Sequence, residues 1–320
     1  MAFKIIKPGL FTTIQDLGRA GYRARGVGPG GAMDVCAASI ANWLVGNDER
    51  HPVIEVHFPG PGIIFEEDAR ISICGADFDA HINENPLQLW KPHLIKRGAT
   101  LFFNKFISGA RAYLAIFGRI ESEKWLGSYS THTKVKAGGY NGRVFMKDDI
   151  IDVNGKIPGI TNRHLSLGVM IQSMYHLPNK IRCIEGPEWN WLAGNSKKQF
   201  THSPFPISNQ SDRMGYRLIG VQLFQEIKSS LISSPVDMGT VQLLPDGQCI
   251  ILMADHQTTG GYPRIANVIS ADLSKLAQLP AGNKIQFELI VIKEAEESLI
   301  SMQQNMQSIK NRCMQLYDKH

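Results

Sequence analysis

The chain has 320 residues, 43% of them hydrophobic and 20% charged, a composition ordinary for a folded soluble protein with room for two domains of ordinary size. The net charge of +5 is modest, and its positive groups are scattered apart from short pairs such as Lys197-Lys198, which excludes a nucleic-acid face from the expectation. Thirty glycines favour turn-rich β structure over helix bundles. No apolar run approaches membrane-spanning length, and the start MAFKIIKPGLFTTIQ lacks a signal-peptide apolar region. Five widely spaced cysteines (Cys36, Cys74, Cys183, Cys249, Cys313), with no C-x-x-C, suggest free thiols in a reducing compartment. A cytoplasmic protein that engages neither nucleic acid nor membrane is expected.

Phe3 to Ile6 forms a strand candidate closed by Pro8-Gly9. The string Gly26-Val27-Gly28-Pro29-Gly30-Gly31 fits the spacing G-x-G-x-x-G, but a dinucleotide fingerprint follows an apolar strand, and Gly21-Tyr22-Arg23-Ala24-Arg25 is not one. Pro29 also removes an amide that would face a pyrophosphate. Val35 to Val45 reads as a helix with Ala37, Ile40, Ala41 and Leu44 on one face. Asp34 is its expected N-cap and Gly46-Asn47 its stop. From Val53 the pattern changes to short strands: 53–56, 63–65, 70–74, 80–82, 87–90, 100–103 and 112–116. Turns recurring every 8–12 residues or so are the mark of a sandwich or barrel. Glycine-rich connections, Gly127 to Thr131 and Gly138 to Arg143, precede a strand at Ile150 to Val153. Asn154-Gly155 and Pro158-Gly159 place a boundary near residue 155, and a second strand series begins around Ile181.

The stretch Met238 to Val268 organises the second half. Cys249 to Ala254 is purely apolar and bounded by turns, which argues for a buried strand. Pro245-Asp246-Gly247 before it is a turn. Asp255 to Pro263 after it gathers carboxylate, imidazole, amide and hydroxyl groups beside two glycines. Two readings of that loop stay open: a site, or a tight hairpin whose polar groups satisfy their own backbone. Gln15-Asp16-Leu17-Gly18-Arg19-Ala20-Gly21-Tyr22-Arg23 echoes Ser211-Asp212-Arg213-Met214-Gly215-Tyr216-Arg217, and Thr13-Ile14-Gln15 echoes Thr240-Val241-Gln242, as two related barrels would. After a strand at Ile285 to Ile292, Leu299, Met302, Met306, Ile309, Cys313 and Leu316 form a helical stripe, read as a helix laid on its own domain with partner binding left open.

The segments GVGPGGAMD, ANWLVGN, GSYST, GGYNGR, SDRMGYRL, GTVQLLPDG and ADHQTTGGYP occur in this order between about Gln15 and Phe287. Together they resemble the biotin-dependent carboxyltransferase-domain family, which includes the C subunits of 5-oxoprolinases, KipA proteins (allophanate hydrolase subunit 2-like) and the carboxyltransferase region of urea carboxylase. Phe117-Gly118-Arg119 and Thr240 depart from the family's usual residues. The resemblance implies a mainly β fold: two cyclophilin-like β-barrel domains in tandem, with a few helices and a C-terminal helix. The expected divisions are 1–155, 156–293 and 294–320. It implies the C subunit of an ATP-dependent 5-oxoprolinase (5-oxo-L-proline to L-glutamate), inactive alone. Its implied partners are the B subunit (KipI-like) and the A subunit (LamB/YcsF-like) of that enzyme. The alternatives are a KipA-type protein that sequesters a KipI-like kinase inhibitor, or a carboxyltransferase acting on a urea-like amide. ATP with Mg is expected at a site shared with or held by a partner, and no M-K-M biotin-attachment segment is present.

For a lactam or amide substrate, Asp212, Asp255 and Gln257 are the catalytic candidates: the carboxylates as bases, the glutamine to orient the amide. Arg213, Arg217, Gln242, Thr258, Thr259 and Tyr262 are the substrate-binding candidates, the arginines as forks for a carboxylate or phosphate. No metal ligand set is assigned. The site is expected at a cleft between the barrels, where the Asp255–Pro263 loop approaches Ser211–Arg217. Arg213 is read as an exposed loop residue whose removal barely affects folding.

Overall fold

The glycine-punctuated apolar runs fold as strands, mainly antiparallel with Lys180–Glu185 and Lys284–Leu289 paired in parallel, and in the computed structural model, which describes residues 1–155, 167, 171, 175, 180–227 and 230–317, they divide between two units. The first comprises 1–19, 30–172 and 305–320, the second 20–29 and 173–304. The expected Pro158-Gly159 turn lies outside the described residues.

The first unit holds β1 (Ala2–Lys7), β2 (Thr12–Gln15), β3 (Val53–Val56), β4 (Gly62–Phe65), β5 (Ala69–Asp77), β6 (Ala80–Ile82), β7 (Asn85–Pro86), β8 (Pro92–Ile95), β9 (Thr100–Phe103), β10 (Ser108–Ile116), β11 (Arg119–Ile120) and β12 (Ile150–Asn154). They form a seven-stranded sheet in the order β11-β12-β1-β4-β9-β6-β7 and a five-stranded sheet in the order β2-β3-β10-β5-β8. Phe3, Ile5, Ile54, Phe65, Ile73, Leu101 and Leu114 lie in the shared core. One expected strand is absent. Leu87–Trp90 alternates apolar and polar residues but turns instead, with Trp90 at a left-handed φ of 61°. Its amide and that of Leu87 bond the carbonyls of Ile73 and Ala80, and buried Leu87 joins the core from a loop.

The helix α1 (Val35–Val45) has the predicted bounds and ends on Gly46 at φ 87°. Asp34 accepts the Ala37 amide at 3.0 Å, while its own amide donates to the Tyr113 hydroxyl at 2.8 Å. That hydroxyl donates to Glu55, which also accepts the Met33 amide. Burial, with the nearby charges of Glu55 and Asp34, raises the Tyr113 phenol well above its usual range. Asp34→Ala should therefore cost about 1–2 kcal/mol in a urea melt. A loss below about 0.3 kcal/mol would mean that the cap does not hold the start of the helix.

The second unit contains β13 (Lys180–Glu185), β14 (Phe205–Pro206), β15 (Gly215–Leu218), β16 (Ser234–Pro235), β17 (Thr240–Leu243), β18 (Cys249–Leu252), β19 (Thr259–Gly260), β20 (Arg264–Val268) and β21 (Lys284–Leu289), with α2 (Gly194–His202) and α3 (Ser270–Ala277). Its seven-stranded sheet runs β14-β21-β13-β20-β17-β18-β15, and β16 pairs with β19. Stacked Phe200 and Phe287, 4.3 Å apart, join α2 to this sheet. The C-terminal helix α4 (Ile292–Met314) begins where the strand was expected to continue. Of its stripe, Ile309, Cys313 and Leu316 are buried, and all three belong to the first unit. Its residue Lys310 pairs with Glu49 at 2.6 Å, and the Tyr317 hydroxyl bonds the Leu44 carbonyl at the end of α1. All five cysteines are free and buried.

Candidate functional site

Three neighbouring strands of the second unit set the site's floor. The register pairs Gln242 with Ile250 and Ile250 with Arg217, so the three side chains form one row across β17, β18 and β15. The adjacent row, Val241-Ile251-Tyr216, is buried and turns inward, because successive side chains point to opposite faces. Strands lie about 4.8 Å apart, so the Gln242 and Arg217 backbones are separated by roughly 10 Å with Ile250 between them. Gly215 leaves space for Ile250: a Cβ there would stand 2.7 Å from its Cδ1. The row opens into a cavity of about 550 Å³, lined also by Asp212, Asp246, Gln257 and Tyr262.

Short-range polar bonding shapes the rim. The Asp212 carboxylate accepts the amides of Met214 at 2.8 Å and Gly215 at 3.2 Å, an Asx turn that starts β15. Gly247, at φ 79°, closes the Pro245-Asp246-Gly247 turn between β17 and β18. Arg213 turns away from the cavity and grips Asp255 through two bonds, Nε to Oδ2 at 2.8 Å and an Nη to Oδ1 at 2.9 Å. The Asp255 amide in turn donates to the Arg213 carbonyl. Beyond it, Thr259 and Gly260 pair with Pro235 and Ser234, so the Asp255–Pro263 loop is held by a separate strand and not by a hairpin of its own.

The segment 20–29 of this unit buttresses the same loop. Arg23 reaches Asp237 at 2.8 Å and also bonds the Val236 carbonyl. Gly28 lies so close to the loop that a Cβ would meet the His256 carbonyl oxygen at 2.8 Å. His256 is buried, with Nδ1 2.5 Å from the Gln257 carbonyl and Nε2 3.7 Å from Asp237. Burial pushes its imidazole below the usual 6.5, against the pull of the Gln257 carbonyl, Asp237 and Asp255. The sign follows from linkage: the unfolded chain takes up the proton more readily, so the stability from neutral His256 is present above about pH 6.5 and lost as pH falls below it. His93 shifts in the same direction, so the measurement is a difference. His256→Gln should flatten part of the fall in melting temperature between about pH 7 and 5.5, whereas parallel curves would mean that burial does not hold His256 neutral.

Five of the nine predicted site residues line the cavity: Asp212, Arg217, Gln242, Gln257 and Tyr262. Arg217 stands on β15 and not on a loop; it is exposed, and its guanidinium makes no ion pair among the described residues. Arg213 and Asp255 are committed to each other, and Arg213, only 6% exposed, is not the surface residue expected. Its two-bond grip on Asp255 lies in the folded core of the loop, where it orders the chain. Thr258 and Thr259 are absent from the cavity lining, with the Thr258 carbonyl accepting the Val236 amide. Gln210 and Asp246 line the cavity without having been predicted. Asp246 carried a signal, because a turn joining two site strands must stand at their mouth. A further paired group, Glu188 with Arg264, braces β20: despite burial, the Arg264 bonds hold the Glu188 carboxyl below its usual range.

This two-unit, mainly β chain belongs to the family described as carboxyltransferase domain, subdomain A and B, which matches residues 25–289. Among its relatives, the 5-oxoprolinase C subunit of Escherichia coli is 38% identical over 91% of this chain and 92% of its own length. The protein of the same name from Haemophilus influenzae is 35% identical over 88% of this chain and 89% of its own. The crystal structure of Kluyveromyces lactis urea carboxylase superposes with a TM-score of 0.88 at 28% identity. That match covers 96% of this chain but 29% of the urea carboxylase chain, so this chain spans less than a third of it.

Proposed function

We propose that the chain is the C subunit of a 5-oxoprolinase and contributes the lactam-handling surface of that enzyme. The observation that carries the reading is the 38% identity to a protein of that name across nearly the full length of both. The cavity supports it chemically. 5-Oxo-L-proline offers a carboxylate, two methylenes and a lactam, and the row offers a guanidinium, an isoleucine and a carboxamide as their chemical counterparts. A guanidinium fork binds a carboxylate through paired charge-assisted bonds. Gln257 and Asp212 stand at the rim, where the first orients the amide and the second accepts a proton from the water that adds across the C–N bond.

Ring opening at neutral pH requires activation of a poor electrophile, for which ATP with Mg is proposed at a site shared with or held by the B and A subunits. This chain by itself shows neither an all-protein metal cage nor a phosphate loop among its described residues. Among the described residues no cluster of three His, Cys, Asp or Glu could hold a metal ion, and Gly26–Gly31 follows a short 3-10 turn at Arg23–Arg25, not the strand a phosphate loop needs. No step through ATP is therefore assigned to this chain.

A second reading, carboxyl transfer to a urea-like amide, is favoured by the urea carboxylase superposition. Co-purifying the chain with its partner proteins and following ATP hydrolysis separates the two. Hydrolysis driven by 5-oxo-L-proline and not by urea, and absent when the chain is assayed alone, is the expected result. Stimulation by urea alone would replace the first reading with the second.

A further inference from the structure

Gln242 is placed unlike any other polar group of the cavity. It is 1% exposed, in a four-residue strand that is buried throughout. The pairing of β17 with β20 shifts register between Val241 and Gln242, and such a bulge re-aims a side chain relative to its neighbours. Its carboxamide makes a single hydrogen bond among the described residues, from Nε2 to the Tyr262 carbonyl at the long distance of 3.4 Å. Room for that amide depends on Gly260, where a Cβ would stand 2.5 Å from Nε2. A carboxamide carries two N–H donors and a carbonyl acceptor. Tyr262 therefore leaves Gln242 one N–H and the carbonyl oxygen at the floor of a cavity. In the open cavity that edge is within reach of water, and a ligand that displaces the water must offer the complementary donor and acceptor in its place.

The pairing partner follows from ring geometry. A five-membered lactam locks its amide cis, so its N–H and C=O point the same way, whereas an open-chain secondary amide is trans and presents them on opposite sides. A primary carboxamide likewise has one N–H and its oxygen on a common edge. Two such edges match donor to acceptor in both directions. We propose that Gln242 is the specificity-determining residue of this cavity, pairing edge to edge with the cis-amide of a lactam acid whose ring covers Ile250 and whose carboxylate reaches Arg217. The proposal rests on the 5-oxoprolinase reading and makes it more specific: the site selects the lactam by its N–H as well as its carbonyl.

The test compares ligands on the wild-type full chain by calorimetry, which avoids any variant that fails to fold. The probes are 5-oxo-L-proline, its N-methyl derivative, and the lactone of the same ring size bearing the carboxylate. The last two keep the ring, carbonyl and charge but lack the N–H. Each should bind about 10- to 100-fold more weakly, because the Gln242 oxygen is then buried unpaired. Gln242→Met, which keeps length and shape but has neither the N–H nor the carbonyl, should bring 5-oxo-L-proline down to or below the level of the lactone while its circular dichroism spectrum stays that of the wild type. Equal binding of all three probes overturns the proposal and leaves the 5-oxoprolinase reading intact. Binding of none of them, with no turnover in the full assembly, overturns both.

Discussion

Arg213→Ala is expected to destabilise the second unit by about 3 kcal/mol, the scale for removing one partner of a largely buried, doubly bonded ion pair. Arg213 is 6% exposed, and the Asp255 side chain only 21%, so water restores little of what the carboxylate loses. The pair also joins the start of β15 to the end of the strand that carries the loop, since backbone and side chains of the two residues are both bonded. Asp255→Asn should cost less, because an amide still accepts one bond. A thermal melt checks both, and a double-mutant cycle assigns the shared part. Were Arg213→Ala to melt with the wild type and lose only activity, the arginine would be a ligand-binding group and the pairing incidental.

Arg217→Ala should do the reverse. The residue is exposed and is held through its backbone, the amide donating to the Ser211 hydroxyl and the carbonyl accepting the Ser208 amide, bonds that the substitution keeps, so stability should change by no more than about 0.5 kcal/mol. Binding of 5-oxo-L-proline should weaken about 10- to 100-fold, the value of a charge-assisted fork lost from a carboxylate. Arg217→Lys should recover part of that loss, since lysine supplies the charge without the planar fork. A variant that binds as the wild type does would move the carboxylate anchor elsewhere.

The contrast between these two arginines shows what was legible in the sequence. Both stand in SDRMGYRL, four positions apart, and composition gives no reason to separate them. Strand register separates them. Arg217 falls on the open face of β15, and Arg213 falls before it, where a carboxylate from a distant segment meets it. Local signals were read correctly wherever the cause was local: Asp34 caps α1, Gly46 ends it, and Gly247 closes its turn. Leu87–Trp90 misled because period-two alternation also arises in a loop that plugs a core. The Gln15 and Gln242 echo was visible as a repeat, and both residues are buried in short strands of their own units. That Gln242 lines a cavity depends on a bulge and on Gly260, neither of which leaves a periodic trace.

The cavity over β15, β17 and β18 is the proposed seat of the lactam acid. Hydrogen–deuterium exchange of the full chain with and without saturating 5-oxo-L-proline tests it most directly. Slower exchange is expected in residues 210–217, 242–250 and 257–262 alone, with the strands of the first unit unchanged. Protection that spares these segments and falls instead on the strands of the first unit would contradict it.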